Sequence, residues 1–481
     1  MKKFLALFLA LIMVVGLVAC AAGDDGAAPE GAPEAAAPGD APAAGDDGDA
    51  PAVPADVDVS TMEAWGAHIR SQFEGETINI LIGANPAQEA YLRIYQEFVE
   101  LTGVNVNWRV ITDGTVISMA LTEHAAGGGN FDIFAVDAAS IPEFSGRRVI
   151  EPLAPFLDNP VLTPEWFDYE DILPAYAYGI SRSGGVIYGI PYSGETRFLG
   201  YRTDLFEEHG MTAPTTMDEF LEAARFFNGL EDGLFGVSMR AASGRQGGSG
   251  FLSIAYAFTD SPFVHQPSME PGFDTPETIE ALQFFVDLLQ YAPPDVSTFS
   301  HEEALSAFMM GTTAMWLDST ALAGPIVDPS VSQIYDRVNF VPTPIGPMGK
   351  SAALAGWNLT IPVTNQDQEL AWAFIMWINS REMARTYVEA GGVPCRVSIL
   401  TDPEMVADNW VFPLILQGME HAQALMDVRG LLYNPDFTYA NDMMHIGGTM
   451  MNRALIGEIS VEEAARLGQL EMMEFLEDRE W

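Results

Sequence analysis

Tyr192, Glu195 and Arg197 place an aromatic face, a carboxylate acceptor and a forked donor within one short stretch. A polyhydroxylated ligand needs those three things if it is to exchange water for protein, so the trio points to a binding cleft. Trp316 and Asp318 have the same character. Two residues apart on an extended chain, they share a face and offer a platform with an acceptor beside it. A core position is the other reading of Trp316, because a buried indole needs only one partner for its N–H.

Asn85 and Asp137 each follow an apolar strand, Thr77 to Ile82 and Phe131 to Val136. In an open parallel sheet the ligand crevice lies beyond the carboxyl ends of the strands, where both residues point. Each also stands where a side chain caps the next helix, so capping and ligand contact are alternatives at both; contact is favoured at Asp137.

The elements that must position these groups alternate. A short helix over 60–72, the strand 77–82, a helix opened by Asn85-Pro86 and closed by Gly103, and the alternating Val104, Val106, Trp108 and Val110 compose a βαβ unit with parallel strands. A helix over 115–126 and the strand 131–136 follow. Beyond the crossover at 188–210, capping boxes at Thr216/Glu219, Ser300/Glu303 and Ser460/Glu463 open three helices, and Thr275 opens another. The Gly/Ser-rich piece 243–250 lacks the Gly-Lys-Ser/Thr ending of a phosphate loop and reads as a mobile rim. Residues 339–363 read as a polar, Pro-rich surface connection leading into the strand LAGWNLTIP, which holds Trp357 and Asn358. Trp372 and Trp377, in an amphipathic helix over 367–380, read as core.

With 481 residues the chain exceeds one core. Its formal charge of −45 repels phosphate backbones and excludes nucleic acid as a partner. Seven histidines without paired spacing give no metal site, and nothing implies a cofactor. Cys395 reads as an inert apolar side chain. At the N-terminus Lys2 and Lys3 precede an apolar run too short to span a bilayer, a signal peptide over 1–19. Leu17-Val18-Ala19-Cys20 resembles the bacterial lipobox, which makes Cys20 the lipid attachment site and anchors the protein to the membrane. Residues 20–59, rich in Ala, Gly, Pro and acidic side chains, cannot bury enough apolar surface to order and read as a tether.

Several stretches, taken together, resemble the bacterial extracellular solute-binding proteins of carbohydrate ABC importers (family 1): YGIPYSGETRFLGYRTDLFEEHG, YQEFVELTGVNV, FDIFAVDAASIPEFSGRRVIEPL, GTTAMWLDSTALAG, the Gly356-Trp357 element, Gly-Gly-Val-Pro-Cys-Arg ending at Arg396, and ALIGEISVEEAARLGQLEMMEFL. The resemblance implies an α/β, two-lobed, periplasmic-binding-protein-like (type II) fold with about three hinge crossings. Lobe 1 would hold 60–192 and 318–352, lobe 2 would hold 193–317 and 353–440, and 441–481 would pack helices on the lobes. It also implies that Trp357 stacks on a sugar ring and that Arg396 is presented to the cleft; Cys395 departs from the small residue expected there.

Tyr192, Trp316 and Trp357 would then supply ring faces, Asp137, Glu195 and Asp318 would accept, and Arg197, Asn358 and Arg396 would donate. The implied function is capture of a sugar or sugar alcohol by cleft closure and delivery to a membrane permease driven by an ATPase. The protein would be a monomer without enzymatic activity, at the extracellular face of the membrane. A secreted glycosidase using Glu195 with Asp318 or Asp137, and a ligand-binding sensory receptor, are the alternatives.

Overall fold

The computed structural model describes residues 57–112, 115–350 and 354–479. The signal peptide, Cys20 and nearly all of the tether lie outside them. Among the described residues nine strands build the two larger sheets: β1 (Thr77–Gly83), β2 (Asn105–Ile111), β3 (Ile133–Asp137), β4 (Ile190–Glu195), β5 (Arg197–Arg202), β6 (Phe235–Ser238), β7 (Thr313–Ser319), β8 (Val338–Pro342) and β9 (Ala355–Thr360). The first sheet has the order β2-β1-β3-β9-β4 and the second β8-β5-β7-β6. β1 runs parallel to β2 and β3, as the βαβ pattern requires, whereas β9 is antiparallel to both of its neighbours.

The crossover stretch divides between the sheets. β4 ends at Glu195, β5 begins at Arg197, and Thr196 makes the turn from one sheet to the other. Its carbonyl accepts from Thr320 N at 2.9 Å and its N–H donates to Thr320 Oγ1 at 3.1 Å, so the chain at the end of β7 is bound to the same hinge point.

The helices that matter to the cleft are α1 (Pro86–Ile94), α2 (Arg245–Ala255), α3 (Pro276–Leu289), α4 (His301–Met309), α5 (Gln368–Ile378), α6 (Phe412–Gln423), α7 (Ala440–Leu455) and α8 (Val461–Leu476). Their starts follow local chemistry. Asn85, Thr275 and Ser460 each accept a backbone N–H of the first turn, and Ser300 with Glu303 closes a reciprocal capping box. Trp372 and Trp377 of α5 are buried as expected, against Phe156 and Phe98.

Four expectations need correction. The segment 318–352 does not join lobe 1: β7 and β8 belong to the second sheet. Conversely 353–440 opens with β9, which fills the slot between β3 and β4 of the first sheet, pairing Trp357 with Asp137 and Ser193. Within 339–363 the expected strand LAGWNLTIP forms as β9, while the stretch expected as a surface connection begins as strand β8 of the second sheet.

The Gly/Ser-rich rim expected at 243–250 is the start of helix α2. Its glycines serve close packing rather than mobility: a Cβ on Gly248 would lie 2.4 Å from Met444 O, and one on Gly448 would lie 2.0 Å from Gly244 O. α2 and α7 thus approach backbone to backbone, and α8 packs on α7 and α3, which seats 441–479 largely on the second lobe.

Candidate functional site

The floor of the cleft is a row across three adjacent strands. Asp137 of β3, Trp357 of β9 and Ser193 of β4 are direct register partners, so strand spacing sets them about 5 Å apart and directs their side chains to one face. Glu195, two residues beyond Ser193, shares that face. Ser193 Oγ donates to Glu195 Oε1 at 2.9 Å and Ser319 Oγ donates to Oε2 at 2.7 Å. A carboxylate has about four acceptor positions, so two remain for a ligand.

The roof comes from the second lobe. Asp318, 1% exposed, is held by Arg240 in a bidentate pair, with Nη2 at 2.6 Å and Nε at 2.8 Å. It also accepts from Arg197 Nη1 at 3.1 Å. Burial pushes its carboxyl upward, yet the two guanidinium groups outweigh that and hold it below the usual range. Arg197 continues to Ser249 Oγ at 3.2 Å. From α2, Arg245 reaches Asp137 of the opposite lobe at 2.7 Å. These groups, with Asn85, Gln246, His301 and Tyr433, line one cleft with about 910 Å³ of atom-free space, part of it open to solvent.

Two neutral groups sharpen the chemistry. Burial pushes the Tyr433 phenol up to about 12, so it is protonated at any working pH. Burial, joined by Arg240, brings His301 down to about 4. Between pH 6.5 and 4 the unfolded chain binds a proton on this histidine that the folded chain does not, so its contribution makes stability fall as pH falls. Across that window His301→Gln should be relieved of a loss of about 3 kcal/mol that the parent suffers. Chemical denaturation at both pH values checks this; identical losses in the two proteins would contradict it.

Of the residues expected at the site, Asn85, Asp137, Glu195, Arg197 and Trp357 line the cleft, and Asp318 stands directly behind its two arginines. Asn85 caps α1, its Oδ1 accepting from Gln88 N at 2.9 Å, and it does so at the cleft edge. Four residues are elsewhere. Tyr192 is buried on the other face of β4 against Tyr91, because a residue three before Glu195 on a strand points the opposite way. Asn358, next to Trp357, is likewise turned inward, donating to Ile180 O at 2.9 Å and accepting from Ser181 Oγ. Trp316 is 0% exposed, stacked under Phe308 of α4 and edge-on to Phe198. It shares Asp318's face, but α4 covers that face one residue pair before the strand reaches the cleft. Arg396 is buried as a backbone staple, donating to the carbonyls of Phe167, Asp168 and Asn379.

Residue types alone did not single out Arg240, Arg245, Ser249, His301 and Tyr433. Arg240 follows the end of β6, so the strand-end rule that selected Asp137 applies to it as well. Arg245 and Ser249 were hidden by reading their helix as a loop.

Two α/β sheets joined through a hinge, with charged groups from both and the Trp357 ring from one converging on the gap, define a two-lobed ligand-binding protein of the type II periplasmic class. The match is specific at the level of sequence too. Residues 84–385, more than half of the chain, match the model of the bacterial extracellular solute-binding protein family, and the chain belongs to that family. Among curated relatives it is similar to an erythritol/L-threitol-binding protein of Mycolicibacterium smegmatis, 26% identical over 336 residues covering 66% of this chain and 69% of that one. A mannitol-binding protein of Pseudomonas aeruginosa is also 26% identical, over 324 residues covering 66% of this chain and 72% of that one. Among solved structures, an ABC transporter solute-binding protein of Agrobacterium radiobacter in complex with ribitol superposes with a TM-score of 0.77 at 20% identity, over 84% of this chain and 99% of the other.

Proposed function

We propose that the cleft captures one neutral sugar alcohol or monosaccharide and releases it unaltered to a membrane permease driven by an ATPase. The observation that carries this reading is the charge balance of the cleft. Arg197 and Arg240 converge on Asp318, Arg245 pairs with Asp137, and Glu195 completes three carboxylates against three guanidinium groups. A charged ligand would leave one of these groups unpaired in a desolvated site, whereas a hydroxyl accepts from a guanidinium and donates to a carboxylate. Trp357 adds one apolar face for the C–H side of the ligand. The polyol names carried by the two curated relatives agree with this chemistry.

Binding without turnover is favoured by the same pairing. Asp318 has its oxygens occupied by Arg240, Arg197 and the Ser319 N–H, and Asp137 by Arg245, Ala139 N and Ser140, so neither is placed as a free nucleophile or base. A ligand touching both lobes favours the closed state and shifts the population toward it. Cys20, as the lipid-bearing residue, and the acidic tether would hold the monomeric binding domain at the outer face of the cell membrane. A thermal-shift screen of the tether-free protein against alditols, monosaccharides, oligosaccharides, amino acids and peptides tests the proposal. A rise confined to small neutral polyols or sugars, with the ligand recovered intact, is expected; recovery of a cleaved glycoside would overturn it.

A further inference from the structure

Across the cleft from the hinge, the lobes touch through a polar network. Thr196 sits at the end of β4, and β9 separates β4 from β3, so Asp137 lies about two strand spacings, roughly 10 Å, from the hinge strand. There Arg245 Nη2 donates to Asp137 Oδ1 at 2.7 Å, and its Nε donates to Asn441 Oδ1 at 3.1 Å. Asn441 Nδ2 in turn donates to Ser140 Oγ at 2.9 Å and to Glu143 Oε2 at 3.3 Å. Asp137, Ser140 and Glu143 belong to β3 and the turn and short helix that follow it; Arg245 and Asn441 open α2 and α7 of the other lobe. The Gly248 and Gly448 contacts clamp those two helices together, so their N-terminal turns advance on the first lobe as one rigid edge. Both positive helix ends face carboxylates there, which adds to the attraction.

We infer that Asn441 is a positioning residue: with Arg245 it forms a latch between the lobes that stabilises the closed cleft whether or not a ligand is inside. Asn441 does not line the cleft, while Arg245 does, so the pair couples closure to the guanidinium that faces the ligand. Part of the closed state's stability then comes from the protein itself, and the ligand has to supply only the remainder. The latch is polar and partly exposed, with Arg245 at 37% side-chain exposure, so it opens without rupturing a core.

The role of the latch in affinity rests on the cleft being the ligand site; its role in closure does not, and the experiment separates the two. The folded protein is labelled with a donor–acceptor dye pair, one on each lobe away from the cleft, and the open fraction is read without ligand, then with a screened polyol. Asn441→Ala should raise the ratio of open to closed ligand-free protein by about tenfold, and Asn441→Asp, which keeps the acceptor for Arg245 but sets a carboxylate against Glu143 in place of a donor, should raise it too. Both should weaken polyol binding by a similar factor, chiefly through faster dissociation. Arg245→Lys, which keeps the charge but not the fork to two partners, should fall between the parent and Asn441→Ala. An unchanged open fraction in Asn441→Ala, with its melting temperature and helical content retained, would overturn the latch. If no polyol binds even the parent, the functional reading falls, and the ligand-free comparison still decides the latch.

Discussion

Trp357→Ala should lower polyol affinity by about a hundredfold, close to 3 kcal/mol, while the protein stays folded. The indole lies at the centre of the floor row, flanked through the sheet by Asp137 and Ser193. It is the ring that β9 directs to the cleft, whereas the two other aromatic candidates, Tyr192 and Trp316, are enclosed in the cores. Removing it takes away the apolar face on which the proposed ligand's carbon skeleton would lie and admits water beside Glu195 and the arginines, so the remaining hydrogen bonds would weaken as well. β9 itself is held by backbone pairing on both edges, and so the strand survives the truncation. Trp357→Phe should recover part of the loss. Calorimetric titration of both variants checks this, and an unchanged dissociation constant in Trp357→Ala would remove the residue from the site.

Asp318→Asn should be the more damaging change to the molecule. The substitution keeps shape but removes the one negative charge between Arg240 and Arg197, two guanidinium groups that are themselves largely buried. Breaking such a buried pair leaves an uncompensated cation and costs about 3–5 kcal/mol of stability, and here two cations are affected. Affinity should collapse together with stability, because Arg197 loses the anchor that aims it between Asp318 and Ser249. The pH dependence carries a sign. The folded carboxyl titrates below its unfolded value of 3.8, so its stabilisation is complete above that pH and is lost as pH falls through the lower, folded value. The parent should therefore shed this contribution only below about pH 3.8, while the variant lacks it throughout. Denaturant midpoints at pH 7 and pH 3 measure both; equal midpoints for parent and variant at pH 7 would contradict the account of the triad.

Much of the fold could be read from local chemistry. Capping residues such as Asn85, Thr275, Ser300 and Ser460 announce their helices because the signal is a side chain bonding its own backbone neighbours. Sheet membership is a different kind of fact. β8 and β9 are short strands separated by a Pro-rich segment, and nothing local states that one pairs with β5 and the other enters between β3 and β4. Nor does composition reveal that a Gly/Ser-rich run is helical. The glycines at 248 and 448 acquire meaning only when α2 and α7 meet.

The site divides along the same line. Asp137 was legible from the strand-end rule, Glu195 from the aromatic and guanidinium residues clustered with it, and Trp357 from its resemblance to the family's Gly-Trp element. Two of the misplaced residues violated a rule already at hand: Tyr192 and Asn358 stand an odd number of positions from Glu195 and Trp357, and alternation sends them to the other face. Trp316 and Arg396 were misplaced for a tertiary reason. A helix covers the first, and the carbonyls of residues 167, 168 and 379, distant in sequence, surround the second.

The central claim is that one small, neutral polyhydroxylated ligand occupies the charge-balanced cleft. Isothermal titration of the tether-free protein with four- to six-carbon alditols and with monosaccharides tests it most directly. The expected result is saturable one-to-one binding of at least one of them at about micromolar affinity, with amino acids and charged sugar acids silent in the same cell. Absence of heat with every neutral polyol and sugar, or tight binding of a charged solute in their place, would contradict it.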